Sequence, residues 1–281
     1  MFRLKSYIDF LTESNLFIAF AAALYTIQAQ VEMGMHPAWH PYLFLIFFAT
    51  LFEYNLARFI TVLTGKSSLN AKKYTWVRSH LRLFYGIVIF SVTGFLIAAS
   101  QAKREVLYVL FPLGLLTLFY SFPLYKTGEK LFRLREIPLL KIFLIAFIWS
   151  SSTLLLPFIQ KGGELNWNLI VTLLIQRFFF IFSITIPFDI RDMLLDEQHG
   201  TKTLPLHLGR SKAMLLANVA LVFFIFLSFL LNNSSSLIAK SVSVVVTLYL
   251  LNSKGISKSP YYYTLLDGMI ILQAILVIRF S

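Results

Sequence analysis

Long apolar runs separated by short polar breaks recur nine times along the chain, near residues 14–31, 41–63, 83–100, 105–125, 139–160, 166–188, 213–231, 236–252 and 262–280. A helix of such length crosses about 30 Å of hydrocarbon, and the 236–252 run is the weakest of the set. No run alternates with a period of two, and backbone in lipid must satisfy its own hydrogen bonds, so the pattern predicts an all-α bundle of nine transmembrane helices and no barrel. The opening "MFRLKSYIDFLTESN" is amphipathic, which predicts an interfacial lead-in and no cleaved signal peptide. No stretch rich in Pro, Gly or charge marks a linker, so residues 1–281 read as one membrane domain.

Composition agrees with the pattern. Hydrophobic residues make up 58% of the chain, charged residues only 14%, and the mean hydropathy is +0.74, values that exclude a soluble domain of this size. Most of the 25 lysines and arginines fall on one side when the N-terminus is placed inside. The expectation is therefore a multi-pass protein of a bacterial inner membrane, N-terminus cytoplasmic and C-terminus outside. The charged connections 64–82, 126–138 and 189–212 then lie at the cytoplasmic mouth, where function is expected. Topology accounts for the net charge of +12, so no nucleic-acid partner is needed, and a cationic inner face suits lipid headgroups or a phosphorylated substrate. The absence of cysteine excludes disulfides, thiolate metal sites and cysteine nucleophiles.

The densest chemistry stands at 187–209, "PFDIRDMLLDEQHGTKTLPLHLG". If helix continues past Pro187, Asp189, Asp192 and Asp196 fall on one stripe within about 60° of one another. Three converging carboxylates need a divalent cation or basic partners, and magnesium takes one or two carboxylates and completes its shell with waters and phosphate oxygens. A solvated helix end is the plain alternative. Arg191, followed by Gly200, Lys202 and Thr203, favours a loop that closes over an anion.

This stretch resembles the second aspartate-rich motif of the UbiA superfamily of intramembrane prenyltransferases, D-x-x-D-x-x-x-D, G-x-K-T-L-P and L-G, at Asp189, Asp192, Asp196, Gly200, Lys202, Thr203, Leu204, Pro205, Leu208 and Gly209. "FYSFPLYK" at 119–126 resembles that family's tyrosine-serine segment. The resemblance implies transfer of an isoprenyl group from its diphosphate to a lipophilic, aromatic acceptor within the bilayer. It also implies catalytic roles for Asp189, Asp192 and Asp196, with Mg2+ on Asp192 and Asp196. It places Tyr120, Ser121 and Lys126 near the bound substrate, and the expected diphosphate contacts are Asn55, Arg58, Arg191 and Lys202.

The family's first motif, N-x-x-x-D-x-x-x-D, should lie on the second span. Here Asn55 is followed by Phe59 and Leu63, so both acids are missing. Tyr54, Asn55 and Arg58 share one face instead, and Glu53 lies about 200° away from Asn55. Arg58 either takes over the work of a metal ion by gripping phosphate, or pairs with an acid of the second motif and plugs the site.

Two further charges lie deep in spans, Arg177 and Asp267, and are expected to pair. Arg133, Arg135 and Lys141 are a second tier of diphosphate contacts. The Phe-rich "RFFFIF" at 177–182 reads as packed or lipid-facing helix, and "HPAWHP" at 36–41 as an interfacial turn with no metal. No hydrolase elbow, P-loop or dinucleotide fingerprint is present. Two other readings remain: a non-catalytic polyprenyl-lipid binder or membrane-complex partner, and a transporter using the buried charges.

Overall fold

The computed structural model describes residues 2–63, 72–122, 125–127, 130–132, 134, 137, 139–162, 166–198, 201–231 and 234–280. Helices occupy all nine apolar runs: α2 (Leu16–Glu32), α3 (Pro41–Leu63), α5 (Leu81–Gln101), α6 (Arg104–Ser121), α7 (Leu140–Lys161), α8 (Trp167–Gln198), α10 (Arg210–Leu230), α11 (Ser234–Asn252) and α12 (Tyr262–Phe280). Among the described residues seven of these are long and apolar enough to span a membrane alone. An eighth span requires α2 to be joined to α1 (Phe2–Glu13) across a 73° bend, and α11 supplies only a shorter apolar segment, Ser236–Asn252. The short helices α4 (Lys72–Ser79) and α9 (Leu204–Leu208) and one hairpin, β1 (Tyr125–Thr127) with β2 (Lys130–Phe132), lie between spans.

Neighbouring helices follow one another around a ring: α3, α2, α12, α11, α10, α8, α7, α6 and back to α3, with α5 packed on α3. Lipid offers no hydrophobic driving force between helices, so close approach of small residues carries much of the packing. On α2, Ala19, Ala21, Ala22 and Ala29 are buried; on α10, Ala213, Ala217 and Ala220 are. At the α3–α5 contact a Cβ on Gly94 would run into the end of the Phe48 ring, so glycine makes room for that side chain.

The α1–α2 corner turns at Asn15, a non-glycine residue at φ +62°. Asn55 of α3 holds it: Asn15 Nδ2 donates to Asn55 Oδ1 at 3.0 Å, and Asn55 Nδ2 donates to the carbonyls of Ser14 (3.1 Å) and Leu51 (2.7 Å).

Toward the end of the bundle where α2 finishes and α8 begins, the helices are tied by buried ions. Glu32 Oε2 accepts from Arg177 Nη2 at 3.2 Å, and Glu32 Oε1 lies 2.8 Å from Lys240 Nζ. Arg177 completes its fork on Thr153 Oγ1 (2.9 Å) and the Tyr25 carbonyl (2.7 Å), and stacks over the Tyr25 ring at 3.9 Å. The expected Arg177–Asp267 pair does not form. Glu32 closes α2 at the end from which α8 starts, whereas Asp267 lies one turn into α12 at the opposite end.

Candidate active site

The acidic stripe exists because α8 does not stop where the apolar run stops. Its 32 residues run unbroken through Pro187 to Gln198, about 48 Å at 1.5 Å per residue, so its last turns stand beyond the hydrocarbon. Asp189 and Asp196, seven residues apart, share a face. Both turn to α7, where Lys141 Nζ lies 2.8 Å from Asp189 Oδ1 and 3.1 Å from Asp196 Oδ2. Asp192 turns the other way, toward α12: Arg191 donates to both of its oxygens, from Nε at 2.7 Å and Nη2 at 3.0 Å, while the guanidinium lies over the Tyr263 ring at 4.5 Å.

The chain that follows α8 folds back onto the start of α7. Thr201 N–H donates to the Asp196 carbonyl (2.8 Å) and Leu139 N–H to the Lys202 carbonyl (3.0 Å), which places Lys202 beside the segment that carries Lys141. The Lys202 side chain is exposed, and Thr203 is buried. Gly209, with φ +81°, joins α9 to α10 in a conformation that a side chain would strain.

Three more helices complete the cluster. From α6, Tyr120 stands within electrostatic reach of Lys141 and of Tyr54, and its neighbour Ser121 is buried at the helix end. From α3 comes Tyr54, which lies close to Trp149 of α7 and Asp267 of α12. Tyr54 is 38% exposed, and its hydroxyl is within reach of groups on α6, α7 and α12. Arg58, one turn along α3, reaches the α1 end: its Nη1 donates to the Glu13 carbonyl and lies 3.5 Å from Glu13 Oε2, and its charge also acts on Asp267.

Asn55 is not part of this space. It is fully buried, and its amide bonds to Asn15 and Ser14 at the α1–α2 corner. Arg58 pairs with Glu13, an acid outside the second motif that the sequence reading did not connect to it. Phe59 stacks on Phe84 at 5.8 Å and packs edge-on against Tyr85, so the place of the first missing acid is apolar. Gly200, Arg133, Arg135 and the side chains of Leu63 and Lys126 lie outside the described residues.

A cationic group bridges Asp189 and Asp196, and Asp189 Oδ2 is buried with no hydrogen-bond partner among the described residues, so this pair would suit a magnesium ion. Asp192 has Arg191 on both oxygens. Among the described residues no group of three His, Asp or Glu side chains could hold a metal ion. Magnesium tolerates so few protein ligands because phosphate and water fill the rest of its octahedron.

Comparison with known proteins follows the same lines. No curated protein matches the sequence. Among solved structures the chain is similar to a digeranylgeranylglyceryl phosphate synthase of membranes (15% identity, 100% of this chain and 99% of that one, TM-score 0.55). It is also similar to a UbiA homologue from Archaeoglobus fulgidus bound to GPP and Mg2+ (13%, 95% and 99%, TM-score 0.60) and to the apo form of one from Aeropyrum pernix K1 (12%, 93% and 97%, TM-score 0.61). These identities establish the fold alone. A model of the UbiA prenyltransferase family matches residues 78–260, from the end of α4 to just before α12, and so includes the whole acidic motif. With that match covering well over half its length, the chain belongs to the UbiA prenyltransferase family.

Proposed function

We propose that the protein transfers an isoprenyl group from an isoprenyl diphosphate to a lipophilic, aromatic acceptor inside the bilayer, with the acidic end of the bundle facing the cytoplasm. The observation that carries this reading is the pairing of Lys141 with Asp189 and Asp196 and of Arg191 with Asp192, with Arg58 and Arg191 acting on Asp267, toward one end of an otherwise apolar bundle.

In the reaction the C1–O bond of the allylic diphosphate breaks and its electron pair leaves with the diphosphate. Lys141, Arg191 and Arg58 hold the departing charge in a site from which bulk water is kept by the surrounding helices. Asp189 and Asp196 position Lys141, and Asp192 positions Arg191. Lys202, on the returning segment, covers the outer phosphate. A magnesium ion, when bound by Asp189 and Asp196, supplies further neutralisation of the leaving group. The allylic cation left behind meets the ring faces of Tyr54, Tyr120 and Trp149, which stabilise positive charge without capturing it.

Mass spectrometry of lipids co-purified with the protein tests this reading. An isoprenyl diphosphate or a prenylated ring supports it; bulk phospholipid alone overturns it. The closure of Asp189 and Asp196 on Lys141, together with the loss of acids from α3, favours as second reading a relative that binds a polyprenyl diphosphate without turning it over.

A further inference from the structure

We infer that Asp267 is a catalytic residue of this site, the carboxylate that receives the acceptor: it takes the hydrogen bond, and then the proton, of an acceptor hydroxyl. The inference rests on the prenyl-transfer reading above.

An acid inside a span is costly and is kept for a purpose. Pairing with the buried Arg177 is not that purpose, because Glu32 already serves it. Asp267 lies on α12 one turn beyond Tyr263, and the Tyr263 ring carries the Arg191 guanidinium at 4.5 Å. It therefore stands one turn further into the bundle than the Arg191–Asp192 pair. The charges that act on it are those of Arg191 and Arg58, and the Tyr54 hydroxyl lies near it from α3. Among the described residues its carboxylate makes no hydrogen bond, so its oxygens are available to a ligand.

A bound isoprenyl diphosphate has its phosphates among the cations and its chain in the apolar interior, so C1 lies where these two regions meet. Asp267 stands at that boundary, one turn along α12 from the Tyr263 ring that carries Arg191. Once the C1–O bond has broken and the diphosphate has left with the electron pair, the acceptor's bond to C1 of the allylic cation forms, and the hydroxyl proton passes to Asp267. An acceptor without a hydroxyl has nothing to donate here, which gives the site its preference for phenols or alcohols.

The test uses the full chain in nanodiscs, an equimolar mixture of labelled geranyl, farnesyl and geranylgeranyl diphosphates as donor probe, and a lipid extract of the organism's own membranes as acceptor source. Asp267→Asn should bind the donor probes with Kd within twofold of the parent chain while product formation falls at least a hundredfold. Equal product from the variant overturns the inference and leaves the prenyl-transfer reading standing. Donor affinity falling in step with turnover also overturns it, since Asp267 is then only a counterion of the diphosphate clamp. No product from the parent chain overturns the prenyl-transfer reading itself, and the inference with it. If the amide variant does not fold, Asp267→Ser, which keeps a hydrogen-bond acceptor but no base, reads the same split between binding and turnover.

Discussion

The Arg177 guanidinium and the Glu32 carboxylate meet 3.2 Å apart between α8 and α2, the first fully and the second almost fully out of contact with solvent. Lys240 of α11 shares the same carboxylate at 2.8 Å, so one acid holds two cations and three helices together. Removing it leaves two charges uncompensated, whereas removing Asp267 leaves this network whole.

Glu32→Gln is accordingly expected to destabilise the fold strongly, by about 3–5 kcal/mol, the usual cost of breaking a buried pair from one side. Thermal unfolding in detergent should show a large drop in Tm for Glu32→Gln and little change for Asp267→Asn. A larger drop for Asp267→Asn would mean that Arg177 depends on the other acid after all.

Lys141 carries the opposite signature. Lys141→Met leaves Asp189 and Asp196 facing each other with no cation between them, so affinity for geranyl diphosphate should fall at least tenfold, with partial rescue by Lys141→Arg. Isothermal titration measures both. Unchanged affinity in the methionine variant would remove Lys141 from the site.

The α3 stripe predicts a metal count. With Phe59 at the place of the first missing acid and Arg58 turned to Glu13, the protein with bound diphosphate should take up one Mn2+ per chain, not two, and Asp189→Asn should abolish that uptake. Equilibrium dialysis with metal analysis gives the stoichiometry directly, and a value of two would show that ligands from elsewhere complete a second site.

Asn55→Ala separates structure from substrate. Its amide makes two buried hydrogen bonds to the α1–α2 corner and a third within α3, so the variant should lose about 1–3 kcal/mol of stability while donor Kd stays within a factor of two. Loss of donor binding without loss of Tm would return Asn55 to the diphosphate.

Gly94→Ala tests the α3–α5 contact. The new methyl would fall on a Phe48 ring that is itself held edge-on between Phe47 and Phe90, so about 1–3 kcal/mol should be lost, and Phe48→Leu in the same chain should restore part of it. Additive effects of the two changes would show that the ring moves aside freely.

Features that depend on local periodicity were legible in the chain alone. Apolar runs of membrane length without period-two alternation specify helices, because in lipid only helices and closed barrels satisfy the backbone. All nine runs are helices, and the spacing of three and four between Asp189, Asp192 and Asp196 is enough to place acids together on α8. The family, too, was legible in the motif that begins at Asp189.

Partners across helices were not legible, because the side-by-side order and rotation of the spans are absent from any single span's pattern. That is why Arg177 finds Glu32 and not Asp267, why Asn55 bonds to the α1–α2 corner, and why Lys141 is the cation between Asp189 and Asp196. Asp267 reads in sequence as a neutralising acid. Only the ring of helices, which brings α12 next to α2 and α8, puts it beside Arg191 and Tyr54, because depth in the membrane and facing direction are decided by packing.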